Sequence, residues 1–234
     1  MAHVIPFHGT LYNPATVGDA RQVVAPPYDI IDATLQKTLH DRHPNNVIRL
    51  ELGYEQPGDT TGDNKYLRAA GALKEWLKSG ALRRDDKPAI YYHTIEYQPP
   101  YSAPGTPTKV FKGFLSTVEL EEFGSGKIYP HENTRAAAKT DRFNLLEACR
   151  ANFSAIISLY SDPQNDVLTL IERSIASDKP RIDFQDDVGF RQRLWSVTDP
   201  AVLAKVVEIM HTKQLFIADG HHRYETALNY RRAR

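Results

Sequence analysis

Phe216 to Leu228 reads F-I-A-D-G-H-H-R-Y-E-T-A-L. An apolar run ends at Asp219-Gly220, and two histidines and an arginine follow at once. Glycine lets the chain turn sharply there, and the first backbone N–H groups of a following helix have no partner within it. Those donors, at the positive end of the helix dipole, make an anion site. Arg223 and the two histidines add further donors, so Gly220, His221, His222 and Arg223 together suit a phosphate. Asp219 has the opposite sign, and a carboxylate beside a phosphate cradle commonly holds Mg²⁺, bridging oxygens of both. A plainer reading competes, with Asp219 as a helix cap and the histidines as solvated residues of the first turn.

A second dense polar stretch, P-H-E-N-T-R-A-A-A-K-T-D-R, runs from Pro130 to Arg142 and contains His131, Glu132, Thr134, Arg135, Lys139, Asp141 and Arg142. It lies where a loop is expected to enter a helix, with Lys139, Asp141 and Arg142 facing solvent. Glu132 follows a Pro-His pair in the loop, where a carboxylate beside a phosphate site acts as base toward a hydroxyl. His221 and His222 also share a helix face with Glu225, which is half of a transition-metal site if His131 joins them. Standard ligand spacings are missing: there is no C-x-x-C, and H-E-x-x-H fails because residue 135 is arginine. Further upstream, V-V-A-P-P-Y-D-I-I holds a rigid Pro26-Pro27 turn, after which Tyr28 and Asp29 read as turn chemistry, with Asp29 capping the next helix.

The elements that must position these groups follow from periodicity and punctuation. A helix is expected around Asp32–His40, and N-V-I-R-L-E-L, Asn46–Leu52, alternates like a half-buried strand with Glu51 on its outer face. Asn64–Ser79 has helical spacing, with Leu67, Ala70, Leu73, Trp76 and Leu77 on one stripe and Gly80 as its stop. Ala89–Tyr97 and Lys109–Leu120 read as partner strands around a proline-rich loop. Beyond Glu121 come a helix from Lys139 to Arg150, a strand at Ser154–Tyr160, a helix at Asp166–Ala176 and strands at Arg181–Gln185 and Arg193–Val197. A helix capped by Asp199 runs to Met210, and the strand Leu215–Ala218 leads into the last helix. The class is therefore α/β or α+β with a mixed sheet. Two regions are expected, an N-terminal α/β region over 1–120 and a core over 121–234.

Composition limits the partners. The chain has 234 residues, 29 basic and 29 acidic side chains and a formal net charge of zero. No global basic field exists to hold nucleic acid or an anionic membrane, so neither is an expected partner. The single cysteine, Cys149, permits no disulfide within the chain. No apolar run approaches membrane-spanning length, and the N-terminus lacks the apolar segment of a signal peptide. A cytoplasmic protein is expected.

D-G-H-H-R after a strand, with P-H-E after an earlier one, resembles the free serine kinases of the ParB/sulfiredoxin-like superfamily. Those enzymes phosphorylate free L-serine to O-phosphoserine, using ADP or ATP with Mg²⁺. The whole chain is also similar to a widespread bacterial and archaeal family known only as a domain of unknown function. Its landmarks here are A-P-P-Y-D at Ala25–Asp29, H-E-x-T at His131–Thr134 followed by Asp141-Arg142, and G-H-H-R-Y-E-T-A at Gly220–Ala227. The family's members often continue well beyond the last motif, so a fragment or a short version is expected.

The resemblance implies a ParB/sulfiredoxin-like nucleotide-binding core in the C-terminal half. Glu132 would be the base that activates the serine hydroxyl, with His131 beside it. Asp219, Gly220, His221, His222 and Arg223 would form the nucleotide-phosphate and metal box. Tyr28, Asp29, Thr134 and Arg142 would be pocket residues. The expected function is a small-molecule kinase acting on L-serine with ATP or ADP and Mg²⁺. A nucleotide-binding regulatory module of ParB type and a metal-dependent hydrolase are the alternatives.

Overall fold

A computed structural model describes residues 2–103, 105–134 and 136–234; Arg135 of the second polar cluster lies outside them. The chain is mixed α/β, as its periodicity predicts. In order it forms β1 (Val4–Ile5), β2 (Thr10–Tyr12), α1 (Pro14–Val17), α2 (Ala33–Arg42), α3 (Ile48–Glu51), α4 (Lys65–Ser79), β3 (Leu82–Arg84), β4 (Ile90–Tyr97), β5 (Lys109–Leu115) and β6 (Thr117–Val118). There follow β7 (Ile128–Tyr129), α5 (Ala136–Cys149), β8 (Ile157–Leu159), α6 (Asp166–Ser174), β9 (Ile182–Gln185), β10 (Arg191–Val197), α7 (Pro200–Met210), β11 (Leu215–Asp219) and α8 (His221–Arg232). No helix among the described residues is long and apolar enough to cross a membrane.

Two compact units divide the chain, and each is discontinuous in sequence. The first comprises Met1–Thr10, Arg84–Glu119 and Tyr160–Gln214; the second comprises Leu11–Arg83, Leu120–Leu159 and Leu215–Arg234. One crossing falls at Glu119/Leu120, where the rhythm of the sequence changes, but the chain also crosses near residues 10, 83, 159 and 214. Residues 11–83 and 120–159 thus belong to one unit.

In the first unit an antiparallel sheet runs β5-β4-β10-β9. Its central strand β4 buries Ile90, Tyr91 and Tyr92. α6 and α7 pack together, burying Val167, Ile171, Val206 and Met210.

The second unit holds the three-stranded sheet β7-β11-β8, in which β11 is parallel to β7 and antiparallel to β8. A separate apolar cluster joins Val17, Val23, Leu50, Trp76, Ala81 and Leu82, with Phe153 packed against it. The caps follow the sequence closely. The Asn64 side chain accepts from the Tyr66 and Leu67 amides at 3.1 Å, and Gly80 ends α4 in the left-handed region at φ 77°.

Four expectations are corrected. Asn46–Leu52 holds the short helix α3, not a strand: the buried Asn46 side chain bonds Gln22 O and Val24 O and caps the Ile48 amide at 3.0 Å. Glu51 is buried instead of outward, because it pairs with Arg142. On α4 the buried residues are Ala69 and Trp76, whereas Leu67 and Leu77 are exposed. The cap of α2 is Asp32, which accepts from Leu35 N at 2.7 Å; Tyr28–Ile30 form a single 3₁₀ turn ahead of it.

Candidate functional site

β11 carries the D-G-H-H-R motif to the surface of the second unit. Its register against β8 shifts between Ile217 and Asp219, and such an irregularity re-aims the strand end. Gly220 then turns the chain at φ 97°. The conformation favours glycine, and a Cβ there would also crowd the Arg223 guanidinium at 3.1 Å. The N-cap residue of α8 is Gly220, which has no side chain to offer the first amides of the helix. Arg223 folds back across this end and donates to the Asp219 carboxylate and the Ala155 carbonyl.

The second motif arrives at the same edge for a reason of register. β7 pairs in parallel with β11, Leu215 opposite Ile128 and Phe216 opposite Tyr129. The Tyr129 and Phe216 rings stack at 5.1 Å. Parallel strands end on the same side, so His131 and Glu132 leave β7 where Asp219 and Gly220 leave β11. The His131 amide donates to Nε2 of His221 at 3.2 Å, across 90 residues of sequence. Nδ1 of His221 lies 3.4 Å from Oε2 of Glu132, and Nε2 of His131 lies 3.6 Å from Oε1. The side chains of His131 and Glu132 are 58% and 56% exposed, whereas that of His221 is 1% exposed.

One turn further along α8, the motifs meet again. Thr134 and Lys139 both donate to Oε2 of Glu225 at 2.6 Å. Partial burial pushes the Glu225 carboxyl up, but the Lys139 ammonium and the Thr134 hydroxyl outweigh it and hold the group below the ordinary carboxylate range. Lys139 is therefore a half-buried partner of Glu225 and not the outward lysine expected from sequence.

Arg142, also expected to face solvent, is buried. Its guanidinium binds Oε1 of Glu51 at 2.9 Å, the Glu51 carbonyl at 3.0 Å and Oδ2 of Asp141 at 2.6 Å. It also lies 4.2 Å from the centre of the Tyr28 ring. Burial raises the Tyr28 phenol, while the positive charges of Arg142 and Arg223 both oppose that rise. Tyr28 therefore stands within the field of both arginines, and A-P-P-Y-D reaches the same part of the unit as D-G-H-H-R. Asp29 beside it is exposed. Asp141 bonds Tyr66 and Lys65 at 2.9 Å. Burial pushes its carboxyl up, and Lys65, Arg142 and Tyr66 outweigh that and hold it low.

Sequence reasoning missed Glu51; its only signal was a lone carboxylate inside an apolar run. It also missed the pairing of Lys139 with Glu225. The ligand set His131, His221, His222 and Glu225 does not gather among the described residues. Among the described residues the donor atoms that gather within 4.8 Å belong to His131, Glu132 and His221. Two imidazoles and one carboxylate suit a transition ion better than Mg²⁺, which prefers oxygen ligands. The Asp219 side chain is 52% exposed and its carboxylate is paired with Arg223. An open groove of about 320 Å³ in the same unit is lined by Glu55, Gln56, Gly58, Asp59, Asn64, Lys65 and Tyr66, the last two bonded to Asp141.

No curated protein matches the chain, and no solved structure does. The model of one family, described as protein of unknown function DUF1015, covers residues 4–234, and the chain is a member of it.

Proposed function

We propose that this protein is a small-molecule kinase, with free L-serine as acceptor and ATP or ADP as phosphate donor. One observation carries the reading: Glu132 lies 3.4 Å from His221, the first residue of helix α8, whose N-cap is the glycine Gly220. A carboxylate base and an anion-binding helix start then stand side by side, which is what transfer of a phosphoryl group to a hydroxyl needs. Glu132 takes the hydroxyl proton, with His131 at its flank. The first-turn amides of α8, His222 and Arg223 hold phosphate oxygens, Arg223 exchanging Asp219 for them. Asp219, so released, is the residue that would hold Mg²⁺, whose charge would neutralise the phosphates. The order β7, P-H-E, α5, β8, then β11, D-G-H-H-R, α8 supports kinship with ParB/sulfiredoxin-like nucleotide-binding cores.

The test is incubation with L-serine, Mg²⁺ and either ATP or ADP, with O-phosphoserine measured by mass spectrometry. Glu132→Gln is expected to lower turnover by about 10²–10⁴-fold, the usual share of a general base, while nucleotide affinity stays within a few-fold. Equal loss of both, or loss of neither, refutes the role. A second reading, a nucleotide-responsive module without turnover, draws on the Asp219–Arg223 ion pair, a contact that a phosphate would exchange. Nucleotide binding without serine-dependent product would favour it.

A further inference from the structure

Of the five residues in D-G-H-H-R, His221 is the one withdrawn from the surface, with 1% of its side chain exposed. That burial is at odds with a histidine that contacts phosphate. Its ring is instead held between two groups of the other motif. The His131 amide points at Nε2 from 3.2 Å. An amide N–H only donates, so Nε2 must accept and carries no proton. A proton on Nε2, whether from the other tautomer or from a second protonation, would set two donors face to face. The single imidazole proton therefore sits on Nδ1. That nitrogen is buried and has no hydrogen-bond partner within ordinary limits. The acceptor it faces is Oε2 of Glu132, 3.4 Å away.

We infer that His221 is a positioning residue for the Glu132 base: its Nδ1–H holds the carboxylate, and the His131 amide fixes the tautomer that makes this possible. The kinase role of Glu132 rests on the reading above; the tautomer and the His221–Glu132 contact do not. The long contact shortens by a few tenths of an ångström when substrate closes the site, as catalytic hydrogen bonds commonly do. Glu132 is more than half exposed on a loop, and a hydrogen bond formed by closing this 3.4 Å gap would give its carboxylate a fixed direction.

The same tautomer answers the metal question. Although His131, Glu132 and His221 bring donor atoms within 4.8 Å, a metal on Nδ1 would need the lone pair that the proton occupies. Moving that proton to Nε2 would oppose the His131 amide. The grouping is a His–Glu dyad poised to hydrogen-bond across 3.4 Å, and not a metal centre.

The experiment is a two-bond ¹H–¹⁵N correlation spectrum of the full chain labelled with ¹⁵N-histidine, with the His221 signals identified by their absence in His221→Asn. The expected result is a neutral ring protonated at Nδ1, unchanged on titration with Zn²⁺. A ring protonated at Nε2, or a Zn²⁺ titration that moves the His221 signals at one equivalent, overturns the inference. Kinetics supply a second arm. His221→Ala should lower kcat by about 10–100-fold, the usual cost of removing a partner that orients a working side chain, with the nucleotide KM unchanged. His221→Asn keeps an N–H near the Nδ1 position and should retain more activity than the alanine variant. A raised nucleotide KM with no such rescue would mark His221 as a phosphate ligand and overturn the role. If the wild type makes no product, the kinase reading fails while the spectrum still decides the dyad.

Discussion

Gly220 and Arg223 are bound to each other by shape. The left-handed backbone at Gly220 brings the guanidinium of Arg223 within 3.1 Å of where a Cβ at 220 would stand. Gly220→Ala should therefore lose about 1–3 kcal/mol, since it adds strain in a backbone region that L-residues avoid to a steric conflict. Gly58→Ala is the matched control: its φ is 95°, but nothing lies within 4 Å of the added carbon. Denaturant unfolding of the two variants separates the terms. Equal losses would mean that the Arg223 contact contributes nothing.

At the scale of elements, the Glu225 carboxylate ties α8 to Lys139 of α5 and to Thr134 just before it. Glu225 accepts from Thr134 and Lys139 and is held below its ordinary range. A depressed folded-state value means stability that is present above the unfolded pKa and lost as pH falls through the folded one. Glu225→Gln should thus be less stable than wild type at pH 7, by about 1–2 kcal/mol, as for hydrogen bonds to a charged group. The gap should close as pH drops below about 4, where unfolded glutamate protonates. A gap that stays constant down to pH 3 would refute the charge as its source.

The same scale shows what the sequence makes legible. α4 and α7 were readable because their caps, Asn64 with Gly80 and Asp199 with Pro200, are local chemistry. So was the strand-glycine-helix junction at Asp219–His221. α3 was not, because four residues are too few for a helical period to stand out from alternation. The burial of Glu51 and Arg142 and the pairing of Lys139 depend on partners 91 and 86 residues away, which no local pattern encodes.

At the scale of the molecule, the motif-bearing unit is assembled from three stretches of chain. Its apolar cluster draws Val17, Val23, Leu50, Trp76, Ala81 and Leu82 from residues 11–83, while Phe153 comes from the segment after α5. Arg142 on α5 finds its buried counter-charge on Glu51 of α3. A fragment of residues 121–234 holds both motifs but would leave Arg142 without Glu51. Removing one partner of a buried ion pair costs about 3–5 kcal/mol, a large part of the stability of a whole domain. The fragment is expected to lack the dispersed amide spectrum and cooperative thermal transition of a folded domain. A cooperatively folded fragment would show that residues 11–83 are dispensable to the unit.

The bond from the His131 amide to His221 also has a kinetic consequence. His131 lies in an exposed loop, where backbone amides ordinarily exchange with solvent deuterium almost at once. This one is tied to a buried ring 90 residues away, so it can exchange only when the loop lifts off α8. Its exchange rate becomes a clock for that separation, readable without substrate, nucleotide or any knowledge of the reaction.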